Sequence, residues 1–197
     1  MPLTDRGRRQ AETARAALAG ARFDRVVTSG LPRTMETARL VAGPDATLEA
    51  WPELREIAPG RPGDLPEGEL EDAFLGIFRG VAAAERRFLG GETVGALLER
   101  VAGALERLLA DPGWDTVLAV LHGGVNRAVL SLALTGGRQF LGAFEQAPAC
   151  INVLDVDDTG TFVVRAVNAT PWDPAYLAGR TTTMEELWAQ YRGPRPA

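Results

Sequence analysis

Two segments of the chain pass from a short apolar run, through a polar turn, directly into a helix-like segment. The first is RVVTSGLPR at 25–33, and the second is TVLAVLHGGV at 116–125. Such short apolar runs are typical of buried β-strands, and the residues after each turn follow helical spacing. Strands that alternate with helices predict an α/β layer fold with a mostly parallel sheet. We therefore expect a single domain over residues 1–197.

The remaining segments fit the same alternation. Helical spacing covers five stretches, at 5–18, 32–42, 71–89, 92–110 and 125–134. Residues 150–156 and 161–167 flank the turn DDTG, which predicts a hairpin with one strand antiparallel, toward an edge of the sheet. Thr183 and Glu186 form the capping-box pattern of a last short helix. The stretch 43–70 is rich in proline, glycine and glutamate and predicts an irregular excursion.

Composition argues against several classes of function. A formal net charge of -5 does not favour nucleic acid or an anionic membrane surface. No apolar stretch is long enough to span a bilayer, and the N-terminus does not resemble a signal peptide. The one cysteine, Cys150, fits a reducing compartment, and with a single histidine the chain offers no zinc ligand set. We expect a cytoplasmic protein with no metal and no other cofactor.

Polar residues follow both predicted strands, where each strand gives way to a helix. Ser29 and Arg33 lie at the first junction, and His122 and Gly123 at the second. The carboxyl ends of parallel strands meet at one edge of a sheet, and helix N-termini favour anions, so this pairing suggests phosphate. Taken alone, the pattern slightly favours a functional role over a hydrogen-bonded structural role for His122, and it favours a solvated side chain over a functional one for Arg33. P-loop and G-x-S-x-G motifs are absent from the sequence.

The order of motifs along the chain is more specific than any one of them. PLTDRGRRQAE is followed by FDRVVTSGLPRTMETA, LREIAPG, GGET and VLAVLHGGVNRAVL. This ordered set resembles the histidine phosphatase superfamily, also called phosphoglycerate mutase-like, from Pro2 to about Thr170. The resemblance implies a three-layer α/β/α sandwich and a site that acts on phosphomonoesters.

The resemblance also implies roles for individual residues. Arg33 matches the phosphate-binding arginine of the family, and a guanidinium fork suits the oxygens of a phosphoryl group. His122 matches the second histidine of the pocket, with Gly123 beside it in the phosphate-binding turn. Glu56 in LREIAPG takes the place of the acid/base glutamate, which protonates the leaving alkoxide and then activates water.

Further members of the site follow with less specific roles. Ser29 is a candidate pocket residue. Glu92 in GGET is a candidate too, although a charge at a helix N-terminus is an equal alternative for it. Asn168 begins a segment similar to the late N-x-T segment of the family, with Trp172 where many members have histidine. The region 43–90 corresponds to the lid or insertion that selects the substrate.

One motif of the family is missing. Its nucleophilic histidine lies in an R-H-G motif at the end of the first strand, and His122 is the only histidine of this chain. The resemblance places PLTDRGR downstream of that motif. We therefore expect a chain truncated at its N-terminus, which as written cannot form the phosphohistidine of the family.

Three accounts stay open, in order of preference. In the first, the natural protein is a phosphatase that acts on small phosphorylated metabolites through a phosphohistidine, and the sequence is a fragment of it. In the second, the chain is a degenerate relative that binds phosphorylated ligands or a partner without turnover. In the third, the resemblance reaches only the fold of an interaction module. Mutase-type phosphotransfer is a further alternative to hydrolysis, and a homodimer is one way to cover a missing strand.

Overall fold

Helices and strands alternate along most of the chain in the computed structural model, which describes residues 2–137, 139–176 and 181–193. The helices are α1 (Asp5–Ala17), α2 (Pro32–Ala42), α3 (Leu70–Leu75), α4 (Val94–Leu109), α5 (Gly123–Thr135) and α6 (Thr183–Arg192). The strands are β1 (Arg25–Thr28), β2 (Leu48–Ala50), β3 (Val81–Ala82), β4 (Val117–Val120), β5 (Phe140–Leu141), β6 (Ile151–Val156) and β7 (Phe162–Ala169). Short 3-10 turns lie at Pro52–Leu54, Pro62–Asp64, Glu67–Glu69 and Gly76–Phe78. In the described ranges, no helix has the length and apolar character that a bilayer crossing requires.

The central sheet is parallel, with strand order β2–β1–β4. Thr28 at the end of β1 pairs with Ala50 on one side and with Val120 on the other. Because the strands run the same way, the residues that follow β1 and β4 emerge at one edge of the sheet. This edge carries both of the junctions that the sequence singles out.

Helices cover both faces of this sheet. Val27 lies in one core cluster with Leu97 of α4 and Val125 of α5. Val26 is also buried, and successive strand residues point to opposite faces. On that second side α1 packs against α2, and α2 packs against β1 and β4. The layers of helix, sheet and helix confirm the predicted α/β fold.

The opposite edge of the sheet is fixed by Asp24. Its Oδ2 accepts hydrogen bonds of 2.8 Å from the N–H groups of Asp115 and Thr116, and its own N–H donates to the Thr116 carbonyl. These bonds hold the pKa of the Asp24 carboxyl below its ordinary value. Beside them, an open depression of about 810 Å³ lies between the ends of α1 and α2, with Leu18 and Phe23 in its wall. The pairing of β1 with β4 is thereby set at its start.

The helix predicted over 71–89 is wrong for most of its length. Helix α3 ends at Leu75, a 3-10 turn follows, and β3 pairs antiparallel with β5. Gly80 has a φ of 74°, a left-handed conformation that interrupts a helix and that glycine adopts at little steric cost. The stretch predicted to be irregular, 43–70, holds β2 and three of the 3-10 turns.

The predicted hairpin forms, but not at an edge of the parallel sheet. Among the described residues, β6 and β7 make a two-stranded sheet of their own. Val153 and Val163 on its outer face are exposed, whereas β7 packs against α5. An antiparallel pair needs only one covered face, so α5 is a sufficient partner for it.

The capping box of the last helix lies one residue earlier than predicted. The Thr182 side chain accepts from the Glu185 N–H, and the Glu185 carboxylate accepts from the Thr182 N–H. The predicted pair was Thr183 with Glu186. The sequence TTTMEE allows the motif in either register, and local spacing alone does not choose between them.

Candidate active site

The two strand-to-helix junctions meet at the carboxyl edge of the sheet, and their side chains form the edge of the candidate pocket. Ser29 directly follows β1 and is fully buried, while Arg33 is the second residue of α2, behind Pro32. His122 follows β4 and takes the N-cap position of α5 in extended backbone conformation. The N-termini of two helices and one guanidinium therefore meet at the carboxyl edge of the sheet, an arrangement that favours an anion.

A chain of hydrogen bonds joins these residues. Arg33 donates through Nε and Nη2 to Nδ1 of His122, at 3.2 and 3.0 Å. His122 Nε2 lies 2.8 Å from Ser29 Oγ, and Ser29 Oγ lies 3.0 Å from Thr34 Oγ1. Thr34 Oγ1 in turn donates to the Leu31 carbonyl. Since a guanidinium can only donate, Nδ1 is the acceptor, and the ring proton resides on Nε2 and points to Ser29.

His122 is accordingly a neutral imidazole in the structure. Burial, reinforced by the charges of Arg33 and Arg100, lowers its pKa from 6.5 to about 3. Its side of the pocket thus presents a positive guanidinium and a neutral ring. The ring can become a charged donor only when Arg33 releases Nδ1 and an anion offsets the burial.

The Glu56 carboxylate lies on the first turn of α5, next to His122. Its Oε1 accepts from the N–H of Ile57 at 2.9 Å and from the N–H of Gly124 at 3.1 Å. Oε2 lies 3.2 Å from the same Gly124 nitrogen. The helix N-terminus has unsatisfied N–H groups and a positive partial charge, both of which favour a carboxylate at this place.

Gly124 makes this approach feasible. A Cβ at this position would lie 2.5 Å from Glu56 Oε1 and 3.3 Å from the Ile57 side chain. A larger residue would therefore displace the carboxylate from the helix end. The second glycine of the HGG motif therefore leaves the space that the Glu56 carboxylate occupies.

Glu92 does not enter the pocket edge but holds the loop that carries Glu56. Its carboxylate forms two hydrogen bonds with Arg100 of α4, at 2.6 and 3.0 Å. Glu92 Oε2 also accepts from the Ala58 N–H, and Arg100 Nη1 donates to the Glu53 carbonyl. Glu92 and Arg100 thus hold the loop by hydrogen bonds on both sides of Glu56, at Ala58 and at Glu53. The arginine hydrogen bonds hold the pKa of Glu92 below its ordinary value, although burial acts in the opposite direction.

Sequence patterns identified Arg33, Glu56 and His122, and the structure brings all three to the N-terminus of α5. Two further arginines of this region, Arg100 and Arg127, were missed. Arg127 follows Gly123 by four residues, one helical turn, and is buried in α5 with Ala128, Leu130 and Ser131. A basic residue within a buried helical stripe is the sequence signal that could have identified it.

The remaining chemical groups near the site are structural in this arrangement. Burial raises the pKa of the Cys150 thiol to about 11, so it is protonated at neutral pH. Asn168 has a φ of 53° and accepts a 2.7 Å hydrogen bond from the Ala147 N–H, so it holds a loop. Within the described ranges, no cluster of three or more histidine, cysteine or acidic residues could bind a metal ion.

The fold and this pocket edge define an α/β protein whose site, at the carboxyl edge of a parallel sheet, holds a guanidinium, a neutral imidazole and a carboxylate. The family model of the histidine phosphatase superfamily (branch 1) matches residues 1–170. The chain belongs to this superfamily, which confirms the resemblance found in its motifs.

Curated relatives agree with this membership. Over 182 residues the chain is 30% identical to the adenosylcobalamin/alpha-ribazole phosphatase of Salmonella typhimurium, covering 88% of this chain and 87% of that protein. It is 31% identical over 156 residues to the 2-carboxy-D-arabinitol-1-phosphatase of Triticum aestivum, covering 78% of this chain. The matched part is 31% of the wheat protein, so the chain spans about a third of that relative.

Solved structures agree as well. The alpha-ribazole phosphatase of Shigella flexneri superposes with a TM-score of 0.69 at 25% identity, over 86% of this chain and 85% of that one. A mycobacterial glucosyl-3-phosphoglycerate phosphatase, in complex with inorganic phosphate, has a TM-score of 0.69 at 21% identity, over 86% and 88% of the two chains. The second likeness shows the fold alone.

Proposed function

We propose that this chain supplies the phosphate pocket and the acid/base group of a phosphomonoester hydrolase that acts on small phosphorylated metabolites in the cytoplasm. The observation that carries the proposal is the convergence of Arg33 and Glu56 on His122 and the N-terminus of α5. Membership of a superfamily with relatives named as phosphatases supports hydrolysis. A low count of cysteines supports the reducing compartment.

Arg33 and His122 would hold the phosphoryl group. In that complex the guanidinium would turn from His122 Nδ1 to the phosphoryl oxygens, to which it can donate two parallel hydrogen bonds. The freed imidazole would take up a proton and become a second charged donor. Both groups would then oppose the charge that grows on the phosphoryl oxygens during transfer.

Glu56 would move the protons. It lies at the helix end beside His122, where it can protonate the leaving alkoxide oxygen and later accept a proton from the attacking water. Its contacts to the Ile57 and Gly124 N–H groups orient the carboxyl toward the pocket edge without engaging an arginine.

A phosphohistidine needs a nucleophile other than His122. The Nδ1 lone pair of His122 accepts from Arg33, and its Nε2–H points to Ser29, so neither nitrogen is presented to a phosphorus atom. His122 is also the only histidine of the sequence. Turnover through a phosphohistidine would therefore require a second histidine, with an R-H-G motif as its expected context.

Hydrolysis of p-nitrophenyl phosphate tests the proposal. We expect turnover from a form extended by the codons upstream of Met1 that restores R-H-G, and none from the 197-residue chain. In the active form, Glu56→Gln should lower kcat by roughly 10²- to 10⁴-fold. Glu106→Gln on the exposed side of α4 makes the same charge change and should leave kcat unaltered. Turnover by the 197-residue chain, or an inactive form with R-H-G restored, contradicts the proposal.

Binding without turnover is the second candidate function. The engagement of both His122 nitrogens favours it, because the site as it stands has donors for an anion but no free nucleophile. Titration calorimetry with inorganic phosphate tests whether the chain binds an anion at this site. A phosphoglycerate mutase assay on the same protein separates phosphotransfer from hydrolysis. Phosphate binding by the 197-residue chain, with no R-H-G encoded upstream, would favour the binding protein.

A further inference from the structure

Arg127 is a buried cation directly beneath the candidate pocket. It lies one turn into α5, and only 2% of its surface is exposed. Burial lowers the pKa of this guanidinium from its ordinary value, although the carboxylates of Glu145 and Glu56 act in the opposite direction. Burying a charged side chain costs free energy unless hydrogen bonds and opposite charges offset the loss of hydration.

Those contacts join three separate segments of the chain. Arg127 Nη1 donates to the Gly123 carbonyl at 3.1 Å, and Nε donates to the Gly142 carbonyl at 2.9 Å. The guanidinium also lies over the ring of Phe78, 4.9 Å from its centroid. Gly123 belongs to the pocket turn, Gly142 follows β5, and Phe78 ends the 3-10 turn before β3.

The ion pair of Arg127 with Glu145 is longer than its hydrogen bonds to the two backbone carbonyls. Its Nη2 lies 3.7 Å from Glu145 Oε2, which is longer than a hydrogen bond. Glu145 Oε1 instead accepts a 2.9 Å hydrogen bond from the Thr183 N–H at the start of α6. The two backbone carbonyls therefore accept the hydrogen bonds of the guanidinium, while Glu145 acts through its charge, and a fork of donors at fixed angles suits contacts to two carbonyls.

We propose that Arg127 is a positioning residue that fixes the Gly123 carbonyl and thereby orients the pocket turn of residues 122–124. A fixed Gly123–Gly124 peptide keeps the Gly124 N–H directed at Glu56, 3.1 Å from Oε1. Through Gly142 and Phe78, the same side chain ties this turn to the segment that precedes β3. The effect on the turn is independent of the proposed function, whereas its effect on a phosphate ligand rests on it.

Ser131→Ala provides a matched control. Ser131 is fully buried in the same helix, donates to the Arg127 carbonyl and accepts from the Leu141 N–H. Its loss removes a buried anchor between α5 and β5 without touching residues 122–124. Any general loosening of the helix should appear in this variant as well.

Amide hydrogen exchange of the ¹⁵N-labelled 197-residue chain tests the proposal without any assumption about activity. In Arg127→Met we expect the Gly124 and Asn126 amides to exchange roughly fivefold to tenfold faster, the change for about one lost hydrogen bond. Ser131→Ala should leave both amides near the wild-type rate. Arg127→Lys keeps the charge but not the fork, and should resemble the Met variant.

If Arg127→Met does not fold, the lysine variant alone provides the test. Equal rates in the arginine variant tested and in Ser131→Ala would overturn the proposal.

Titration with inorganic phosphate tests whether Arg127 also affects the binding of a ligand. If the wild type binds phosphate, the Arg127 variants should bind it more weakly and Ser131→Ala should bind it equally well. A wild type that does not bind phosphate contradicts the proposed function, while the exchange rates still decide whether Arg127 positions the turn. Full phosphate affinity in both Arg127 variants would count against the positioning role.

Discussion

Arg33 and His122 lie 89 residues apart in the sequence, and two nitrogens of the guanidinium share the single lone pair of the histidine Nδ1, at 3.2 and 3.0 Å. This contact holds the arginine fork at the pocket edge, and the charge of Arg33 adds to burial in keeping the imidazole uncharged. An anion that enters the pocket competes with His122 for the guanidinium, so ligand binding and the protonation of His122 are linked.

Arg33→Ala should weaken the binding of inorganic phosphate by roughly 10- to 100-fold, because hydrogen bonds to a charged group contribute about 1.5–3 kcal/mol. Titration calorimetry at fixed ionic strength measures this loss. Arg39→Ala, on the exposed side of the same helix, removes an equal charge six residues later. Equal affinities in the two variants would show that phosphate responds to net charge and not to the position of Arg33.

The neutral state of His122 should make stability depend on pH in a defined window. The unfolded chain takes up a proton at His122 below about 6.5, whereas the folded chain does so only near 3. The stability that His122 contributes is therefore present above pH 6.5 and is lost as pH falls toward 3. Urea unfolding of wild type and His122→Gln should show their difference shrinking by up to about 1.4 kcal/mol per pH unit in this window. A constant difference would mean that His122 titrates alike in both states.

Gly124→Ala should destabilise the protein, although alanine is normally the better helix former. The added Cβ would lie 2.5 Å from Glu56 Oε1, and we expect a loss of about 1–3 kcal/mol. Gly103→Ala in α4 meets no atom within 4 Å and should instead stabilise by about 0.5–1 kcal/mol. Chemical denaturation of the two variants gives opposite signs if the close approach at Gly124 is real.

Arg100→Met should cost about 1–3 kcal/mol, since it leaves Glu92 without its half-buried partner and frees the Glu53 carbonyl. Arg165→Met removes an exposed pair with Asp155 of the same 2.6 Å length and should cost at most about 1 kcal/mol. Equal losses in urea unfolding would place the Glu92–Arg100 pair among ordinary surface pairs. In the active form, Arg100→Met should also lower kcat through the displaced Glu56.

The sequence predicts the parts of the fold that depend on local pattern. Apolar runs and helical spacing identify β1, β4, α2 and α5, and the turn residues identify the hairpin. The failures occur where a glycine interrupts a helix-like stretch, as at Gly80, and where two cap registers compete in TTTMEE. Apolar spacing within a segment does not reveal which glycine adopts a left-handed conformation or which of two adjacent threonines caps the helix.

The site residues likewise divide into those that local sequence pattern predicts and those that it does not. Arg33 and His122 stand at strand ends and are predicted as a pair of junctions, whereas Glu56 follows only from its place in the ordered motifs. The roles of Glu92 and Arg100 could not be predicted, because their hydrogen bonds reach Glu53 and Ala58 across long stretches of chain. The neutral tautomer of His122 likewise depends on Ser29 and Arg33 together.

Asp24 and the depression beside it lie at the end of the sheet away from the pocket. Gly20, in the connection between α1 and β1, is exposed and has no other atom within 4 Å of an added Cβ. Because Asp24 fixes the pairing of β1 with β4 from that end, we expect a longer connection to leave Ser29 and His122 in place. A fluorescent or affinity domain inserted at Gly20 should therefore label the protein without altering the geometry of the candidate site.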